Sequence, residues 1–430
     1  MGTLSILRLF YIMYTVYTLF VMSVSDYQFI HAFFGLIAIW LVYFSFSLGY
    51  RTVKVKKPEL NISLQEEKVF IFNYAKWKKS TYIFHAIMCW VCTILASRFY
   101  TGRNFIQTVT GILRGESLYA SYQNYFAQNN LAAFTPQKII YVLMLTYTTV
   151  ILFYSFTSII LSKSKINVSK ILFLLAVSSA YIFFGLSRGT NFEMYMIFML
   201  LSYCILNSLP QGADKKKNIK AIAIVGVLGV ILVFVFRLVL TVRGSVFRNT
   251  VCTEISFNPD SAVAIFLPTI TNIGLSVFSY LGYGIYAIGV TVSDIFLGSI
   301  TDAVAAMAPM GRVFLLGQSF PELLRETIDV GVRWVPDWVN FVDSLGLPLF
   351  LIFMFIFGRC TAKILNSNLP KSLVDVCCVF IFLQMISLPI GNFIFNSTPN
   401  VLAVLFTIAN CMYGKLYAEI SENAARDSGQ

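Results

Sequence analysis

Ten runs of predominantly apolar residues decide what this chain can fold into: 5–24, 29–49, 81–97, 139–161, 170–187, 190–209, 219–242, 347–365, 373–395 and 398–418. About 20 such residues, rising 1.5 Å each, cover the roughly 30 Å of hydrocarbon in a bilayer. A helix satisfies its own backbone there, so each run is read as a transmembrane helix. Only 12% of the 430 residues are charged and 57% are hydrophobic, whereas an ordinary soluble domain is about a quarter charged. The expected fold is all-α, a polytopic membrane protein with about ten (ten to twelve) transmembrane helices and a large extracytoplasmic loop. Seven spans fall in 1–242, the loop region is 243–346, and three spans follow in 347–430. Residues 262–300 are apolar but broken by Pro268 and five glycines. They fit a re-entrant hairpin, two short spans or a buried loop domain, and an even number of crossings leaves the topology unchanged. The first run has only Arg8 ahead of its apolar stretch and no small-residue cleavage site, and is read as a retained span.

Orientation follows from the basic residues of the short loops. Loops 50–80, 162–170 and 210–220 are lysine-rich and alternate correctly, which places both termini in the cytoplasm. Sorting by that topology puts 17 of 18 Lys inside, Lys138 being the exception. Ten of 14 Arg lie outside or at the outer edge: Arg98, Arg103, Arg114, Arg188, Arg237, Arg243, Arg248, Arg312, Arg325 and Arg333. Topology alone does not separate the two residue types. A guanidinium binds phosphate bidentately and stays charged in a partly dry site, where lysine acts as a point charge. The segregation points to an outer site for phosphate or carboxylate, with pairing to the eleven outer acids as the structural alternative.

Within this pattern, Ser187-Arg188-Gly189-Thr190 is a tight turn between two spans, followed by a lone acid, Glu193. Arg237 lies roughly 27 Å along a helix starting near Ile219, and Arg243 about 9 Å further out. An arginine in a span is costly unless it snorkels or faces a polar cavity, which makes Arg237 a functional candidate and leaves snorkelling as the simpler account of Arg243. Glu193 reads as an internal partner for Arg237 or as a general base, and His31 as a weaker base or a packed interfacial histidine. Tyr280, Tyr283 and Tyr286 recur every three residues beside Gly282 and Gly284, as a packing face or a sugar platform. Asp294 is the one acid in that apolar run. The first outer segment, Ser25-Asp26-Tyr27-Gln28, holds a single acid, so paired metal-holding carboxylates are missing there. Seven of the eight Cys sit in apolar runs, and there is no P-loop, dinucleotide fingerprint or zinc spacing. No metal, cofactor or nucleic acid is expected.

The layout of about ten spans with a long outer region before the last ones resembles the Wzy family of O-antigen or capsule repeat-unit polymerases. So do three segments: FGLSRGTNFEMYMIF, SYLGYGIYAI and NFVDSLGLPLFLIFMFIFG. The likeness covers most of residues 170–365. It implies a metal-independent glycosyltransferase in the bacterial inner membrane, joining undecaprenyl-pyrophosphate-linked units on the outer face, with a chain-length regulator as a partner. Arg188 is carried over by its turn, and Arg237 and Arg243 by position, as the groups that bind the pyrophosphate and stabilise it as it leaves. Arg248, Arg312 and Arg333 join as secondary substrate contacts, and the base stays open between Glu193, Asp294 and none. A flippase or other transporter would instead line a pathway with charges and show inverted repeats, and neither is visible. An O-antigen ligase shares the architecture and the arginine chemistry.

Overall fold

The computed structural model describes residues 3–53, 77–131, 133, 135–161, 167–208, 215–242, 250–252, 255–297, 307, 336–367, 369–391 and 397–427. The apolar runs become helices α1 (Thr3–Val24), α2 (Phe29–Arg51), α3 (Lys79–Thr101), α6 (Pro136–Ile160), α7 (Val168–Ser187), α8 (Phe192–Asn207) and α9 (Lys215–Val242). Two short helices, α4 (Phe105–Leu113) and α5 (Leu118–Gln128), lie between α3 and α6. Starts coincide with side-chain caps that serve otherwise orphaned N–H groups. Thr135 accepts from Lys138 N ahead of Pro136 on α6, and Asn167 accepts from Lys170 N on α7. Asn104 and Gln107 form a reciprocal capping box on α4.

Beyond α9, a two-stranded antiparallel ribbon, β1 (Thr250–Cys252) and β2 (Ile255–Ser256), is stitched to the turn between α1 and α2. Asp26 N donates to Ser256 O (3.1 Å), and Ser256 N donates to Asp26 Oδ1 (2.6 Å). The ambiguous stretch 262–300 resolves into four short helices: α10 (Ala262–Phe266), α11 (Pro268–Ser276), α12 (Phe278–Leu281) and α13 (Tyr283–Leu297). Its glycines serve packing as well as punctuation. A Cβ on Gly289 would collide with the carbonyl of His31, and one on Gly35 with the carbonyl of Ile285, so α13 touches α2 backbone to backbone. Ile285 and Ile288 are fully buried there.

The chain continues through α14 (Asp337–Leu345), α15 (Leu347–Leu365), α16 (Lys371–Ser387) and α17 (Thr398–Asp427). Helix α15 grips the other half of α2 in the same way, since a Cβ on Gly358 would meet the carbonyl of Phe46. Helices α3, α6 and α7 pack together, and α16 and α17 pack on α6.

Among the described residues, seven helices are long and apolar enough to cross a membrane, and Phe192–Asn207, Tyr283–Ser293 and Thr398–Tyr413 are shorter apolar helices. Large hydrophobic side chains such as Val16, Phe44, Leu48, Phe84, Ile87, Val227 and Ile231 stand exposed along the outer helices. Apolar surface on that scale is at home in lipid, not in water. The chain is an all-α, multi-pass membrane protein.

The expected span 373–395 is not one helix. It ends at Ser387 and turns at Leu388–Gly391, around Pro389. Carbonyls freed by that break are served from elsewhere in the bundle. The Tyr11 hydroxyl donates to Met385 O (3.0 Å) and that of Tyr14 to Ile386 O (2.9 Å). Trp338 N and Asp337 N donate to Leu388 O and Gly391 O, each at 3.2 Å.

The grip on α2 is testable by contrasting two glycines. Gly358→Ala pushes a methyl into the Phe46 carbonyl and is expected to cost about 1–3 kcal/mol. Gly226, on α9, has nothing within 4 Å of its added Cβ, so Gly226→Ala is expected to be neutral or to gain up to about 1 kcal/mol of helix propensity. Thermal melts of the purified protein in detergent separate the two; equal melting temperatures for both variants would contradict the packing.

Candidate functional site

The turn after α7 brings its charged residues together through local backbone bonds. Arg188 N and Thr190 N both donate to Gly185 O (3.1 and 2.9 Å), and Gly189 N donates to Leu186 O (2.9 Å). Gly189 adopts φ +65° and presses against the Tyr119 backbone of α5, a position that leaves no room for a Cβ. Helix α8 then starts at Phe192, which puts Glu193 in its first turn, where a carboxylate is favoured by the helix dipole. The chain doubles back so that Arg188 Nη2 donates to Glu193 Oε1. Thr190 Oγ1 donates to Glu193 Oε2 (3.1 Å) and lies 3.2 Å from Gly185 O. Glu193 is thus engaged by Arg188 and Thr190; its expected pairing with Arg237 falls on a side chain outside the described residues. The Glu193 side chain is 3% exposed and that of Arg188 20%, so the carboxylate is sealed in while the guanidinium retains access.

That access leads to a cavity of about 250 Å³. It is lined by Arg188, Thr190 and Glu193, by the rings of Tyr100, Tyr122, Phe126, Tyr181, Phe184 and Phe192, and by Lys138 and Ser397–Asn400. The guanidinium carbon of Arg188 lies 4.1 Å from the centroid of the Phe184 ring and 6.0 Å from that of Tyr122, distances suited to cation–π attraction. Its Nε is buried with no hydrogen-bond partner among the described residues, as are Nδ2 and Oδ1 of Asn191. A guanidinium carries five donors, and hydrogen bonds to Glu193 and Tyr122 leave others, Nε among them, unused. Ser397–Asn400, at the start of α17, add the positive end of that helix's dipole. Lys138, which donates to Leu131 O (2.7 Å), adds a second cation to the wall. One paired carboxylate facing two cations and a helix N-terminus makes the cavity suited to an anion. Its volume is below the roughly 300–1,000 Å³ of sites that enclose a drug-sized ligand, so it fits an anionic group with an adjoining ring rather than a whole oligosaccharide.

Of the other residues singled out in the sequence, those with described side chains are not gathered here. Tyr283 and Tyr286 are buried at 3% and 8% exposure. Tyr286 packs edge-on to Tyr27 (5.1 Å between centroids) and His31 (6.2 Å). They form a packing face against α2 and do not line the cavity, which corrects the sugar-platform reading. His31 Nδ1 is 2.8 Å from Ser293 Oγ, an interhelical contact. Arg103 pairs with Glu116 (2.9 Å) and donates to Ser121 Oγ (3.1 Å), the structural use of an outer arginine. Arg237, Tyr280 and Asp294 belong to helices α9, α12 and α13, with side chains outside the description; Arg243, Arg248, Arg312 and Arg333 lie outside the described residues. The aromatic walls and Asn400 were not foreseen, because they come from segments far apart in the chain. Lys138 did carry a signal, as the one lysine at the arginine end.

Asp337 was also passed over. It is 3% exposed at the start of α14, and Gln384 Nε2 donates to its Oδ2 (2.9 Å). Burial pushes its carboxyl up to about 6, against hydrogen bonds from Gln384 and Asn340 that favour the charged form. The folded state therefore holds a proton that the unfolded chain, titrating near 3.8, has already lost. That stabilisation is complete below about pH 4 and is lost as pH rises through 6. Asp337→Asn stays neutral throughout. It is expected to melt higher than the unmodified protein at pH 8, by up to about 3 kcal/mol, and to converge with it at pH 4. A parallel pH dependence of the two melts would rule this out.

A comparison of the chain with protein-family models, curated proteins and solved structures finds no match in any of the three.

Proposed function

We propose that the protein is a repeat-unit polymerase of the kind its sequence resembles, acting on undecaprenyl-pyrophosphate-linked oligosaccharides at the outer face of a bacterial inner membrane. The topology that goes with this reading has ten crossings, both termini in the cytoplasm, and the Arg188 cavity opening on the outer side. One observation carries it: Arg188 is fixed by Glu193 and Phe184, retains unused donors, and faces an aromatic-walled cavity that Lys138 and the start of α17 make electropositive. Pyrophosphate suits the electropositive part of such a cavity, and sugar rings suit its aromatic walls.

In the reaction, a hydroxyl oxygen of the acceptor sugar attacks the anomeric carbon of the donor chain. The bond from that carbon to the pyrophosphate oxygen breaks, and undecaprenyl pyrophosphate leaves with the electron pair. The hydroxyl proton passes to solvent or to a base. The difficult part is charge growing on the leaving oxygens. Donors already oriented in a dry site stabilise it without reorganising. Glu193, held by both Arg188 and Thr190, acts as the orienting group for the guanidinium.

The test is an assay of purified protein with one lipid-linked repeat unit. A glycan ladder is the expected product. Transfer to a lipid core would identify a ligase, and absence of any covalent product a transporter. Arg188→Lys keeps the charge and loses the fork, and is expected to lower the rate on the order of 100-fold. Arg103→Lys, at the Glu116 pair, is expected to keep near-normal polymer. Normal yield and length from Arg188→Lys would remove Arg188 from the mechanism.

A further inference from the structure

At the opposite end of the bundle, α1 and α2, with Leu351 of α15, line a groove of about 790 Å³. Arg8, in the second turn of α1, and Arg51, the last residue of α2, flank its mouth; both are exposed. Among the described residues, neither makes an ion pair or hydrogen bond and no acid lines the groove. The Tyr43 hydroxyl lies within electrostatic reach of both guanidiniums. Below them the wall is Ile12, Trp40, Leu41, Phe44 and Leu48, with Ile12 at 42%, Leu41 at 43%, Phe44 at 59% and Leu48 at 62% exposure. The groove therefore opens sideways to hydrocarbon. Trp40 Nε1 donates to Thr15 Oγ1 (3.0 Å), which fixes the indole as part of the wall. This end of the bundle is also where Lys79, Lys170, Lys220 and Lys371 begin or lie near the starts of their helices.

We propose that this groove binds an anionic phospholipid, its phosphate between Arg8 and Arg51 and its acyl chain along Ile12, Leu41, Phe44 and Leu48. Three features select that occupant. Two guanidiniums without an acid call for phosphate, which the planar fork engages bidentately. An apolar floor directly below calls for an amphiphile, since a soluble phosphate would leave it unused. With no carboxylate among the described residues that line it, a zwitterionic head is disfavoured, since its ammonium would meet two like charges. Basic pockets between helices at a membrane surface are suited to such head groups. The site is independent of the Arg188 cavity and of the function proposed for it.

Native mass spectrometry of the full-length protein, titrated with phosphatidylglycerol and with phosphatidylcholine of the same acyl chains, tests the proposal. The expected result is a preference for phosphatidylglycerol on the order of ten-fold or more, given two basic contacts. Arg8→Gln/Arg51→Gln is expected to abolish that preference, whereas Arg98→Gln/Arg114→Gln, at the other end, keeps it. Arg51→Gln alone, at an exposed helix end, is expected to lose part of the preference and serves if the double variant does not fold. Millimolar glycerol phosphate is expected not to displace the lipid. Equal adducts of the two lipids, an unchanged preference in the Arg51 and double variants, or displacement by glycerol phosphate would overturn the proposal. So would a dimer in the spectra that Phe44→Ser/Leu48→Ser dissolves, since a second copy would then fill the groove.

Discussion

Hydrocarbon supplies no hydrogen-bond partner, so every polar group carried into the membrane must be satisfied by the chain itself. The described helices meet that demand in three ways. Serine and threonine hydroxyls fold back on carbonyls of the preceding turn, as Thr149 does on Leu145 O (2.9 Å) and Thr407 on Ala403 O (2.9 Å). Polar side chains find each other across helices, as Tyr154 does with Thr407 (3.0 Å). Where α16 breaks, Tyr11, Tyr14 and the backbone of α14 reach its freed carbonyls. The last case ties two distant segments to one break, and so fixes where α1 and α14 must lie.

Against that background, the places where satisfaction is incomplete stand out. Arg188 Nε and both polar atoms of Asn191 are buried and unused, in the turn whose neighbouring carboxylate is fully engaged. Leaving such groups unpaired costs about 1–3 kcal/mol each, an expense more readily understood if a ligand completes the set. Pairing with Glu193 does not defeat that purpose. It removes the guanidinium's freedom to rotate, and stacking on Phe184 adds to the constraint. The donors that remain are therefore already aimed, which is what stabilising a developing charge requires. A second set of unused atoms, Gln384 Oε1, Ser387 Oγ and Trp338 Nε1, surrounds the break in α16 beside Asp337. Both clusters occur where regular helix stops.

Much of the helical layout was legible because hydropathy over about 20 residues is a long, redundant signal. Helix α6 was expected at 139–161 and runs Pro136–Ile160; α15 was expected at 347–365 and runs Leu347–Leu365. The SRGT turn was legible for a local reason, a charged residue and a glycine between two apolar runs. The break in α16 had a marker, Pro389, that the apolar flanks outweighed. What the sequence could not convey was which surfaces meet. Tyr283 and Tyr286 form a stripe that suits a ligand platform or a helix contact equally well, and only the approach of Gly289 to α2 decides between them. The pairing of Glu193 with Arg188 was hidden for a related reason. Spacing along one helix places it below Arg188, whereas the positive φ at Gly189 folds the chain until the two side chains meet. The remaining cavity walls, Tyr122, Lys138 and Asn400, come from three segments that no local pattern links.

The division between lysine and arginine bears on both ends of the molecule. Lysines gather near the helix starts at one end, where a compact, well-hydrated charge is sufficient to set orientation. Two arginines, Arg8 and Arg51, line an apolar groove. If arginine marked only topology, its position relative to cavities would be arbitrary. Instead Arg188 lines the cavity at one end, and Arg8 and Arg51 line the groove at the other. In each case the guanidinium sits beside aromatic side chains at a boundary between polar and apolar surroundings. That environment discourages lysine, whose ammonium holds its water tightly, and suits a delocalised cation that sheds water at lower cost while presenting a planar fork. The choice of arginine over lysine is thus a statement about dry, shaped anion contacts, and it holds for a small cavity and for a lipid-facing groove alike.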